Sequence, residues 1–208
     1  MKVIDLSHII NPEITVFPGT EKPIFEEIDI EGYVELKITM FTHTATHIDA
    51  PCHILKNTKS LDELSIDKFV GKGIVINCKS VTGKNITVDF LKPYEEKIKN
   101  AEFILFNTGW SLKWKTDQYF DNFPTLTEDA ASWLTNFKLK GIGLDHISLD
   151  EVSDLNLPNH KIVLKEEILI IENMTNLDAL PDEFIFQCFP LKIENADGSP
   201  VRAVAIAG

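Results

Sequence analysis

The sequence predicts a mixed α/β fold in which strands outnumber helices, and three observations predict it. Residues 73–78 (Gly-Ile-Val-Ile-Asn-Cys) and 103–107 (Phe-Ile-Leu-Phe-Asn) are continuous apolar runs of the length and make-up of strands buried on both faces. Residues 24–30 and 34–40 are two more strand-like segments, parted by Glu31-Gly32. Thr127, followed by Glu128 and Asp129, has the form of a helix N-cap with acids in the first turn, and Trp133, Leu134 and Phe137 then mark an apolar stripe.

The remaining elements follow in chain order. Residues 3–6 are a short apolar opening, and Val16-Phe17-Pro18-Gly19 is a turn signal. Residues 61–64 read as a short helical turn, and residues 87–99 as a helix whose extent Pro93 leaves open. The helix after Thr127 stops before Gly141, and residues 142–144 are a strand. Residues 163–171 are a mixed apolar segment in which Glu166 and Glu167 separate two blocks. Glu172 ends this run, a position from which it projects off a strand end into a pocket. Residues 184–189 and 201–206 read as late strands. There are no repeats, low-complexity segments or obvious linkers, so residues 1–208 are taken as a single domain.

Composition excludes several classes of function. A net charge of −12 opposes nucleic acid, which needs a basic footprint, and opposes anionic membranes for the same reason. Arg202 is the sole arginine, so bidentate phosphate clamps are nearly unavailable. No segment approaches the ~20 apolar residues of a spanning helix. The opening Met-Lys-Val-Ile-Asp is not that of a signal peptide, and a cytoplasmic location is expected. Cys52, Cys78 and Cys188 are odd in number and widely spaced, which implies no disulfide framework. Cys52 reads as a small side chain beside a site rather than as a nucleophile.

The functional signal lies in residues 41–54, Phe-Thr-His-Thr-Ala-Thr-His-Ile-Asp-Ala-Pro-Cys-His-Ile. His43, His47, Asp49 and His53 crowd into this stretch, with His160 and Glu172 far downstream. Imidazole and carboxylate are the usual non-thiolate ligands of zinc and other first-row metals. His43 and His47 share one face of a helix, whereas all four residues, being odd-numbered, share one face of an extended chain. Thr42, Thr44, Thr46 and Ile48 favour strand, and Pro51 opposes helix, so a strand or extended loop is expected. A lone histidine is most often an ordinary polar residue; three with an aspartate, in a cluster that carries no Lys or Arg until Lys56, read as a metal site.

The run His43-Thr44-Ala45-Thr46-His47-Ile48-Asp49-Ala50-Pro51-Cys52-His53 resembles the H-x-G-T-H-x-D-x-P-x-H signature of the cyclase-type metal-dependent hydrolases, the family that includes bacterial kynurenine formamidases (arylformamidases). Weaker landmarks fall in the family's order along nearly the whole chain: Asp5-Leu6-Ser7, Pro18-Gly19, Asn107-Thr108-Gly109-Trp110, Gly143-Leu144-Asp145, the His160 to Glu172 pair and Asp197-Gly198-Ser199-Pro200. The resemblance implies a swivelling β/β/α domain with a compact β-barrel-like core and outer helices. It implies that His43, His47 and Asp49 hold one metal, that Asp49 bridges to a second held by His160 and Glu172, and that His53 is the general acid/base. It further implies zinc, one or two per chain, with manganese as an alternative, and a homodimer or tetramer. The chain departs from the signature at Ala45, where the family has Gly; a small side chain is taken to suffice there. His146 stands where many relatives have a small residue, which bears on pocket shape.

The chemistry is consistent with these residue types. A divalent ion lowers the pKa of water to about 7 and polarises a carbonyl, and an imidazole with an ordinary pKa of about 6.5 moves the proton. The implied reaction is hydrolysis of a small amide, with N-formyl-L-kynurenine the first candidate. A cyclic amide, imide or lactone (isatin-like) is an alternative at the same site, and a non-catalytic metal-binding or ligand-sensing protein an alternative of another class. Phe17, Phe41, Trp110 and Trp114 are candidates for stacking on an aromatic substrate, though core packing is the default. Asp145 and Asp150 are candidates for orienting ligand histidines. His8 lies either near the site or in the N-terminal hydrogen bonding, and His146 either lines the pocket or caps a turn.

Overall fold

A computed structural model describes residues 1–81 and 84–208. The chain runs β1 (Lys2–Asp5), β2 (Ile24–Ile30), β3 (Tyr33–Thr39), β4 (His47–Asp49), β5 (Val70–Asn77), β6 (Asn85–Ile86), α1 (Val88–Leu91), α2 (Glu95–Lys99), β7 (Phe103–Asn107), β8 (Thr125–Leu126) and α3 (Glu128–Leu134). It continues through β9 (Gly141–Leu144), α4 (Pro158–Lys165), β10 (Leu169–Glu172), β11 (Glu183–Gln187), β12 (Gly198–Pro200) and β13 (Val204–Ala207).

The apolar runs form the centre of a nine-stranded sheet of order β1-β13-β11-β5-β7-β9-β10-β4-β12. Strands β5, β7, β9 and β10 are parallel, and the flanking strands on both sides are antiparallel. Alternation along the central strands explains why they read as unbroken apolar runs. Ile104 and Phe106 point to one face, where Ile74, Ile142 and Ile170 meet Leu91, Ile98, Leu134 and Val163 of the four helices. Phe103 and Leu105 point to the other, where Ile4, Ile48, Phe184, Phe186 and Ala205 fill the concave side. Each of these large side chains buried in full contributes about 1.5–3 kcal/mol.

The sheet curls into a half-barrel. Beyond β1, Ser7 bridges to Met174, just past β10, and so the first strand in the sheet order approaches the far side. Gly143 permits the tight packing inside the curl: a Cβ there would collide with Leu105 and with Met174 Sδ.

Sequence and structure agree on the central strands, on the β2 and β3 segments and on the Thr127 cap, whose side chain accepts from Ala130 N at 3.1 Å, while the last strand begins at Val204 rather than Val201. Three expectations need correction. Residues 87–99 are not one helix but α1 and α2 joined by a 3-10 turn over Lys92–Tyr94, because Pro93 has no N–H to give. Residues 163–171 are not one segment: the first block is the end of α4, the second is β10, and Glu167 between them takes a left-handed φ of 54°. Residues 43–53 are not continuously extended either; only His47–Asp49 is strand, preceded by a turn and followed by a 3-10 turn at Pro51–His53.

The hairpin β2–β3 pairs only with itself among the described residues and leaves Ile24, Val34, Leu36 and Ile38 exposed. No described helix is long and apolar enough to cross a membrane.

Candidate metal centre

The site is assembled at the end of the sheet from β4, its two neighbours and α4. His47 and Asp49 lie two apart on β4 and therefore share a face. In the register, His47 is opposite Glu172 on β10 and Asp49 is opposite Gly198 on β12. The glycine is required at that place: a Cβ on Gly198 would lie 2.6 Å from His43 Cε1, so its absence makes room for the His43 ring.

A strained turn aims His47. Ala45 has φ 58°, in the left-handed region, which corrects the expectation that only a small side chain is needed there. An L-residue in this conformation costs about 1–2 kcal/mol, and glycine would relieve it. The turn is held by Asn173, whose Nδ2 donates to Ala45 O at 2.9 Å and whose carbonyl accepts from Thr46 Oγ1 at 2.6 Å. Ala45 O also accepts from His47 Nδ1 at 2.9 Å. That leaves His47 Nε2 directed inward, 3.3 Å from Asp49 Oδ1 and 3.5 Å from Glu172 Oε2.

His160 is aimed by a helix cap. Pro158 is at the first position of α4, and Asp150 accepts from the backbone N–H of Asn159 and of His160, each at 3.0 Å. The same carboxylate receives His160 Nδ1 at 2.7 Å. His160 Nε2 then faces Glu172 Oε1 at 3.4 Å and Asp49 Oδ2 at 3.9 Å. Glu172 is itself fixed by Leu149 N at 2.9 Å. Asp150 thus has the orienting position expected of it. Asp145 does not: it is buried among the Thr108 and Trp110 N–H donors, makes no hydrogen bond to a histidine among the described residues, and burial raises its carboxyl to about 6.

The outer rim is different. His43 Nδ1 meets Asp49 Oδ1 at 2.8 Å, and its Nε2 meets Asp197 Oδ2 at 3.2 Å. His53 Nδ1 lies 3.5 Å from the same Asp197 oxygen, and the two imidazoles are 3.9 Å apart. Asp197 is a site residue that sequence reasoning missed; its only signal was its place in the Asp-Gly-Ser-Pro landmark.

Two groups of donors lie close enough to share an ion: His43, Asp49 and His53, and His47, Asp49 and Glu172, with Asp49 common to both. Their charge calls for one. Asp49 and Glu172 are buried with no lysine or arginine paired to them among the described residues. Imidazoles supply the balance: burial works against protonation of His43 and His160, but Asp49 and Asp197 raise the first to about 10, and Asp150 and Glu172 raise the second to about 10. Burial would raise Asp49, yet His43 and His47 hold it well below the usual carboxylate range. Burial lowers His53, helped by the neighbouring His43 and His160. A buried all-N/O donor set in which protons stand in for positive charge fits a divalent ion.

The other candidates separate cleanly. Phe17 and Phe41 line the cavity over the histidines. Trp110 and Trp114 do not line it; they pack in an aromatic cluster with Tyr119 and Phe123, against which Phe17 also rests. His8 stacks on Trp114 at 4.1 Å between ring centres, and His146 is buried against Phe123 with Nδ1 bound to Ser148 O at 2.8 Å. Cys52, Cys78 and Cys188 are all free thiols.

The comparisons with known proteins bear on all of this. The pattern of the cyclase family (described as "Putative cyclase") matches residues 4–151. Kynurenine formamidase of Bacillus mycoides (strain KBAB4) is 32% identical over 97% of this chain and 95% of its own length. Kynurenine formamidase of Bacillus thuringiensis subsp. konkukian (strain 97-27) is 34% identical with the same coverage. Among solved structures, isatin hydrolase A from Ralstonia solanacearum superposes with a TM-score of 0.88 at 25% identity, covering 99% of this chain and 92% of that one. A predicted metal-dependent hydrolase from Bacillus stearothermophilus gives a TM-score of 0.83 at 26% identity, covering 98% and 97%. With the signature intact at its His and Asp positions and the half-barrel shared end to end, the chain belongs to the cyclase family of metal-dependent hydrolases.

Proposed function

We propose that this protein hydrolyses the formamide of an N-formylated aromatic amine, with N-formyl-L-kynurenine as substrate. His43, His47, Asp49, His160 and Glu172 hold one or two divalent ions, zinc or manganese, beside it. The reading is carried by the convergence of five donors from β4, α4, β10 and the preceding turn, with Asp49 common to both donor groups, on the floor of a cavity of about 310 Å³ walled by Phe17, Phe41 and Ile147.

When bound, a divalent ion supplies a positive centre that polarises the carbonyl and acidifies water. The chain's own residues do the rest. His47 and His160 each commit Nδ1 to a fixed acceptor, which presents the Nε2 lone pair to the centre. The apolar walls hold the aryl ring and exclude bulk water, which strengthens every charge interaction inside. His53 takes a proton from the attacking water as its oxygen bonds to the formyl carbon. It returns that proton to the leaving nitrogen as the C–N bond breaks, giving formate and the free aryl amine. Asp197 steadies the His53 ring through Nδ1 while it carries the charge.

Substituting His53→Ala tests the assignment. Turnover of N-formyl-L-kynurenine should fall by about 10²–10⁴ with metal content retained. Wild-type protein, metal-loaded and inert toward every aryl formamide, would overturn the reading. A second reading is favoured by the likeness to isatin hydrolase A: ring opening of a cyclic amide fused to an aromatic ring, by the same residues. Relative kcat/KM for isatin and N-formyl-L-kynurenine decides between the two.

A further inference from the structure

The cavity over the donor set is mainly apolar, with Phe17, Phe41, Ile147, Val152, Leu155 and Leu157 in its walls. No lysine or arginine is among the described residues that line it. Outside the donor set, its one charged lining residue is Asp154. The acids of this loop have different fates. Asp150 caps α4 and holds His160, and Glu151 lies 3.6 Å from Lys84 Nζ. Asp154 has no cation at ion-pair distance among the described residues. Its Oδ1 accepts from Asn156 N at 3.0 Å, and its carbonyl from Leu157 N at 3.3 Å. These two bonds fix the carboxylate at the cavity wall, and Oδ2 is uncommitted.

We infer that Asp154 is a specificity-determining residue that receives an ammonium group of the substrate while the aryl formamide lies over the donor set. The inference rests on the aryl-formamide reading of the site. N-formylkynurenine carries an ammonium and a carboxylate on the same side-chain carbon. Outside the donor set, the cavity wall offers a charged partner to the first and no lysine or arginine to the second. The substrate class is therefore aromatic formamides bearing an alkyl ammonium, with the carboxylate facing solvent and dispensable. The decarboxylated amine, N-formylkynurenamine, is accepted as well. N-formylanthranilate, an aryl formamide with a carboxylate and no ammonium, is disfavoured by the unpaired anion it would meet.

The test compares kcat/KM for N-formyl-L-kynurenine, N-formylkynurenamine, N-formylanthranilate and uncharged formanilide in metal-loaded wild type, Asp154→Asn and Asp154→Lys. Asparagine keeps the acceptor for Asn156 N and so preserves the turn. The wild type should prefer both ammonium substrates to formanilide. In Asp154→Asn that preference should shrink about ten- to hundred-fold, the range of a hydrogen bond to a charged group. In Asp154→Lys the ratio of N-formylanthranilate to N-formylkynurenamine should rise further. Hydrolysis of all four substrates with ratios unmoved by either substitution would overturn the inference and leave the aryl-formamide reading standing. Failure of the wild type on all four would overturn both.

Discussion

The inner and outer sides of the site are built on different principles. On the inner side, His47 and His160 are each 4% exposed in the side chain, Asp49 1% and Glu172 6%. His47, His160 and Glu172 are each held by a group that belongs to the fold, Ala45 O, the Asp150 cap and Leu149 N–H, while Asp49 is met by His43 Nδ1 from the outer side. On the outer side, His43, His53 and Asp197 are 23%, 28% and 43% exposed and hold one another. On the proposed reading, the inner side is held in place as ligands need to be, His43 joins it to the rim, and the more exposed His53 and Asp197 serve proton transfer.

The largest test of this contrast is Asp197→Asn. It should lower kcat by about 100-fold, near the lower end of what acid–base assistance supplies, while metal content measured by elemental analysis stays at the wild-type value. Metal loss in this variant would erase the distinction between the two sides. Asp150→Asn should do the opposite: the amide still caps α4, but metal affinity measured by chelator competition should fall about 10–100-fold.

A smaller effect concerns the buried support behind the inner side. His146 gives its Nδ1 proton to Ser148 O and leaves Nε2 buried without a partner among the described residues, so burial lowers it to about 4 from an ordinary 6.5. Its folded pKa is depressed, so the unfolded chain binds the extra proton first, and stability falls as pH drops from 6.5 towards 4. Chemical denaturation at pH 6.5 and 5.0 should show a loss on the order of 2 kcal/mol from this residue, absent in His146→Phe. Asp145, raised to about 6, acts with the opposite sign in both proteins and cancels in the comparison. The smallest effect is at the strained turn. Ala45→Gly should stabilise the protein by about 0.5–1 kcal/mol in the same assay, since glycine removes the left-handed penalty but loses more entropy on folding.

What could be read from the sequence divides along similar lines. The central strands were legible because burial on both faces leaves an unbroken apolar run, and residues 43–53 because four of their side chains, His43, His47, Asp49 and His53, carry chemistry at close spacing. Helix α4 was not, since its apolar positions merge with those of β10 across only Glu166 and Glu167, and Pro158 marks its start faintly. β12 is three residues of Gly-Ser-Pro, with no periodicity to detect. Asp197 reaches His43 across 154 positions of chain through β12 pairing, a contact that only the register creates. The strain at Ala45 depends on a bond from Asn173, 128 positions away.

The Asp150 carboxylate has one more consequence. Because it receives the first N–H groups of α4 and also holds the His160 ring, one carboxylate serves both the start of the helix and the aim of the imidazole. The folded chain has already aimed its histidine, so a metal held there as proposed would find that imidazole in place, with little left to order. Removing both oxygens at this position would therefore disturb the start of the helix and the aim of His160 together, whereas an amide there separates the two.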